Sequence, residues 1–119
     1  MKRDYLDAVA DILEAIDKAL SFCEGMTFKA FARDDKTVFA VIRALELIGE
    51  AAKKVPAGAR KKCPEIPWRD ITGMRDKLVH EYFGVDLQTV WATVHEDLPA
   101  LRPLIQRLHQ DHAGTKWTG

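Results

Sequence analysis

The stretch Asp34–Lys54, DDKTVFAVIRALELIGEAAKK, decides the fold. Within it Val38, Ile42, Leu45 and Ile48 recur at spacings of three and four, which puts one apolar stripe along one side of a helix. Asp34 or Asp35 can cap the helix at its start, and Pro56 ends it. Gly49 sits mid-helix, although glycine there costs roughly 1 kcal/mol relative to alanine, which predicts close approach by another helix.

The same period extends upstream. Leu6, Val9, Leu13, Ile16 and Leu20 predict a helix from about Asp4 to Glu24, stopped at Gly25, and a short link with Thr27 and Phe28 follows. Downstream, Pro56, Gly58, Pro64 and Pro67 make 56–67 a connector with room for one short helical turn. Pro67 can open the next helix, where a missing N–H costs nothing, and that helix runs from Trp68 to about Phe83. Gly84 and Asp86 then close it and cap another, in which Leu87, Val90, Trp91, Val94, Leu98, Leu101, Ile105 and Leu108 keep helical spacing. Pro99 and Pro103 predict a bend or break near Leu98. From His109 onward the pattern stops. No segment alternates like a strand, so the expected fold is all-α: an antiparallel bundle of four main helices plus one or two short ones. The expected domain is 1–108, with 109–119 a flexible C-terminal tail.

A chain of 119 residues builds one hydrophobic core, and 47% hydrophobic with 30% charged residues excludes disordered and membrane classes. The net charge of zero announces neither nucleic acid nor membrane, but the distribution is uneven. Acids crowd the first helix (Asp4, Asp7, Asp11, Glu14, Asp17), while Lys53, Lys54, Arg60, Lys61 and Lys62 occupy 53–62 without an acid. That basic segment is a solvated helix end or a rim that attracts phosphate. Cys23 and Cys63 lack CxxC or zinc spacing and read as reduced structural thiols. There is no apolar run near the ~18 residues of a membrane span and no leader-like start, so a cytoplasmic location is expected.

Chemistry concentrates in Gly73-Met74-Arg75-Asp76-Lys77-Leu78-Val79-His80-Glu81-Tyr82. Arginine is a permanent, phosphate-matching cation and histidine exchanges protons near neutrality, a pair suited to phosphodiester cleavage without a metal. On an ideal helix Arg75 and Tyr82 share a face, whereas Arg75 and His80 stand about 140° apart. They converge through arginine's reach, through a local distortion, or because a second subunit supplies the missing half. The plainer reading has Arg75 bridging to an acid and His80 filling a structural place. Glu46 and Glu50, one turn apart, form a solvated face or pair with Arg75 or Arg43. His95, His109 and His112 give no complete metal-ligand spacing. Trp68 and Trp91 fall where a core or a subunit seam would be, with base stacking as the functional competitor; Trp117, beside Lys116, is the tryptophan expected to be exposed.

Val41–Ala51, Ile66-Pro67-Trp68, Gly73-Met74-Arg75, His80-Glu81-Tyr82-Phe83, Val90-Trp91 and Leu98-Pro99, in this order, resemble the HepT-like family of HEPN-domain proteins. The resemblance covers nearly the whole chain except the tail. It implies a HEPN-like helical ribonuclease toxin of a type II toxin–antitoxin pair, working as a homodimer with a composite cleft and no cofactor or metal. Arg75 and His80 match the family's nuclease residues, and Asp76 its supporting polar position. The implied partner is an MNT-type nucleotidyltransferase antitoxin that transfers AMP to the motif tyrosine, matching Tyr82. The rival reading is a non-catalytic helical module that only binds that partner.

Overall fold

The computed structural model describes the backbone of residues 5–80 and 84–118, and their side chains except those at 75, 77, 79, 80 and 111–118. Helix α1 (Tyr5–Phe22) ends at Gly25, whose φ of +76° is the left-handed stop expected there. Helix α3 (Asp35–Lys53) starts at the Asp34 cap, whose carboxylate accepts from the Thr37 N–H at 3.1 Å. That hydrogen bond holds the Asp34 carboxyl below its ordinary range. The core lies where the apolar stripes meet: Val9, Ile12 and Ile16 of α1 against Val41, Leu45 and Ile48 of α3. Each such side chain contributes roughly 1.5–3 kcal/mol on full burial. Gly49 is buried within α3.

Helix α5 (Trp68–His80) packs on α3, and α7 (Leu98–Thr118) packs on α1, inserting Leu98, Ile105 and Leu108. The long helices α1, α3, α5 and α7 form the antiparallel all-α bundle, and the described residues contain no strand. Among the described residues no helix is long and apolar enough to cross a membrane. Asp17 of α1 and Arg102 of α7 join in a two-pronged ion pair at 2.6 and 3.1 Å, which pulls the Asp17 carboxyl below its ordinary range.

Three details depart from the sequence pattern. The link after Gly25 holds a helix of its own, α2 (Phe28–Arg33), capped by Thr27, whose hydroxyl accepts from Ala30 N–H at 3.1 Å. Its Phe31 is fully buried, and Phe28 and Phe31 meet Trp91 with ring centroids 6.0 and 5.2 Å away. Near Leu98 the helix does not break: α6 (Leu87–Ala92) passes through a π-helical turn, Thr93–Asp97, directly into α7. The wider turn accommodates the ring and missing N–H of Pro99. Finally, the α7 backbone stays helical to Thr118, past the last apolar position at Leu108. Apolar period reports burial, and a helix already nucleated extends without it.

Candidate active site

Helix α5 is held at its start by the connector. The Trp68 indole is 8% exposed and its Nε1–H donates to the Cys63 carbonyl at 3.3 Å. Arg60, from the short α4 (Ala57–Arg60), stands 5.5 Å from the indole ring and donates to the carbonyls of Ala52 and Val55, both at 2.9 Å. One guanidinium therefore closes the end of α3 and covers the first residue of α5. Ile71 and Leu78 bury the inner face of α5.

Register then places the motif. At about 100° per residue, positions 69, 73, 76 and 80 fall within about 60° of one another, on the face opposite Ile71 and Leu78. Position 75 lies about 50° from the inner stripe, so the backbone carries positions 75 and 80 on different sides of α5. The side chains of Arg75 and His80, and the whole of Tyr82, lie outside the described residues. Asp76, the position expected to support them, is described: its carboxylate meets the Lys53 ammonium of α3 at 2.5 Å, in a half-exposed ion pair. Glu46 and Glu50 both take Arg43, on their own helix, at 3.3 Å.

The neighbouring chemistry is structural. His95 lies against Trp91, with ring centroids 3.8 Å apart and Nδ1 at 3.0 Å from the Trp91 carbonyl, so it is engaged within its own helix. Among the described residues no three His, Cys, Asp or Glu side chains gather to hold a metal. Cys23 and Cys63 are buried free thiols, and burial pushes the Cys23 thiol up. Cys63 accepts from Arg107 at 3.1 Å, and the same guanidinium pairs with Glu65, holding that carboxyl below its ordinary range. Trp68 belongs to the core and Trp91 to the aromatic cluster, as the core reading of both predicts. Two features escaped the sequence reading. Exposed Phe39 (54%) and Leu47 (38%) stand on the same outward side of α3 as Arg43, and Arg69 shares the outward stripe of α5.

The molecule is thus an all-α bundle that carries an arginine and a histidine, five positions apart, on a helix with one face outward. The chain belongs to the HepT-like ribonuclease family, whose model matches residues 12–108. It is 49% identical over 110 residues to the probable ribonuclease HepT of Thermococcus cleftensis, covering 92% of this chain and 100% of that one. Two Methanocaldococcus jannaschii proteins named as RNases are each 42% identical, one over 113 residues (95% of this chain, 93% of the relative) and one over 110 residues (92% and 95%). No solved structure matches the chain.

Proposed function

We propose that the protein is a metal-independent endoribonuclease, the toxin of a type II toxin–antitoxin pair. The reading is carried by the position of the Arg75-x4-His80 motif: within the matched HepT-like span, on a helix whose rotation is fixed by Ile71 and Leu78 in the core. In the proposed step the RNA 2′-oxygen attacks the adjacent phosphorus and the P–O5′ bond breaks. The products are a 2′,3′-cyclic phosphate and a free 5′-hydroxyl. His80 takes the proton from the 2′-hydroxyl and returns one to the leaving 5′-oxygen, while Arg75 stabilises charge on the phosphorane. Asp76, already neutralised by Lys53, serves position and not charge.

Because one α5 carries positions 75 and 80 about 140° apart, the cleft is completed by a second copy of the chain. Exposed Phe39 and Leu47 on the outward side of α3 support such a seam. A nucleotidyltransferase antitoxin that attaches AMP to Tyr82 would place an anion beside the cleft, where it pairs with Arg75 and repels RNA.

The test is induced expression of wild type and His80→Ala, each with and without a neighbouring nucleotidyltransferase, while recording growth and intact mass. Growth arrest that needs His80, is relieved by the transferase and coincides with added AMP mass on Tyr82 is the expected result. Equal behaviour of the two proteins, with complex formation preserved, would leave a module that only binds its partner.

A further inference from the structure

Gly73 has no internal reason to be glycine. It stands in the middle of α5, exposed, and a Cβ built on it meets none of the described residues within 4 Å. The only positive φ among the described residues belongs to Gly25, so Gly73 is not there for a left-handed turn. Nor does it let a neighbouring helix come close, since among the described residues that space is open. Glycine weakens a helix interior relative to alanine, so the gain that offsets it lies outside the chain. Gly58 is equally open but sits in the four-residue α4, off this face.

The surroundings of Gly73 define what approaches it. In register it lies between Arg69 and the positions of Asp76 and His80, along about 16 Å of helix axis. Arg69 is exposed and makes no ion pair among the described residues. The Arg60–Trp68 contact brings exposed Lys61 and Lys62 to the same end of α5. At that end the cations Arg69, Lys61 and Lys62 outnumber the exposed Asp70, and among the described residues the stripe lacks apolar side chains, unlike the Phe39 and Leu47 face of α3. A packed helix would want apolar flanks, whereas a phosphate backbone wants cations and room.

We propose that Gly73 is the point of closest approach for the RNA strand: the missing side chain opens a notch in the outward face of α5, and Arg69 binds a phosphate flanking the one that is cut. This rests on the ribonuclease reading above. The experiment uses the purified full chain as wild type, Gly73→Ala, Gly58→Ala, Arg69→Gln and His80→Ala. Each is measured for thermal midpoint, particle mass, cleavage, and binding of an uncleavable 2′-O-methyl RNA oligonucleotide by fluorescence anisotropy.

Gly73→Ala should melt a few degrees higher yet bind the oligonucleotide and cut RNA about tenfold more weakly, with particle mass unchanged. Gly58→Ala should bind and cut as wild type does. Arg69→Gln should weaken binding and reduce the salt slope by about one. Wild-type binding and cleavage by Gly73→Ala overturns the notch, as does failure of the wild type to bind the oligonucleotide. Loss of activity together with a drop in particle mass overturns it in favour of a second copy's helix at Gly73. If His80→Ala cuts as wild type does, the ribonuclease reading fails, and binding of the uncleavable strand still decides the notch.

Discussion

Replacing Trp68 by phenylalanine removes the indole N–H that the Cys63 carbonyl accepts at 3.3 Å, and it trims the ring that Arg60 covers at 5.5 Å. The site is 8% exposed, so little water reaches the orphaned carbonyl. Leaving that acceptor unpaired costs about 1 kcal/mol. The smaller ring gives up about 1 kcal/mol of burial and packing, and the weakened guanidinium contact a few tenths more. The sum is about 2 kcal/mol, which for a domain of this size lowers the melting temperature by about 8 °C. Far-UV circular dichroism, followed through a thermal ramp at fixed protein concentration, measures it. A shift below about 3 °C would refute the claim that the connector anchors α5 through this indole. The loss should shrink when Arg60 is already alanine, because the two side chains share one contact.

Three further outcomes follow from the same contacts. The carboxyls of Asp17, Asp34 and Glu65 are held below their ordinary values of 3.8 for aspartate and 4.5 for glutamate, chiefly by hydrogen bonds from Arg102, Thr37 and Arg107. The unfolded chain therefore binds protons first as pH falls. Stability is fully present above these ordinary values and drops below about pH 4; an unchanged urea midpoint between pH 6 and pH 3 would contradict it. Asp34→Ala deletes the α3 cap and should lower the melting temperature by a few degrees in the same melt, with no shift counting against the cap. Lys53→Met breaks only a half-exposed pair, so its stability should change by less than about 1 kcal/mol in urea titration; a larger loss would mean that Asp76 is held by Lys53 more firmly than its exposure suggests.

The long elements were legible because their apolar stripes are long enough to show a period: α1 and α3 follow it closely, and Asp34 and Gly25 mark their ends chemically. Six-residue α2 was not, since Phe28 and Phe31 alone cannot show periodicity, and burial in the cluster with Trp91 is a tertiary fact. Pro99 signalled irregularity but not its form, because the same defect is met by a kink or by a π turn. Partnerships across the fold left no local trace: Asp17 finds Arg102 and Lys53 finds Asp76 only once the helices pack. Glu46, Glu50 and Arg43 sit on one helix and could be paired from spacing. The candidate site was legible as a motif at Arg75 and His80, while its setting was not. That Arg69 and Gly73 share the outward stripe needs the buried face, Ile71 and Leu78, to fix the rotation of α5.

The proposed attack by the RNA 2′-hydroxyl, with His80 moving the protons, is tested most directly at the product ends. Purified protein should be given an RNA oligonucleotide, its all-deoxy counterpart, and the same RNA with His80→Ala, and the product ends read by mass spectrometry. RNA should yield 2′,3′-cyclic phosphate and 5′-hydroxyl ends, DNA should stay intact, and His80→Ala should give little product. DNA cut at a comparable rate, or 5′-phosphate ends on the RNA, would contradict it.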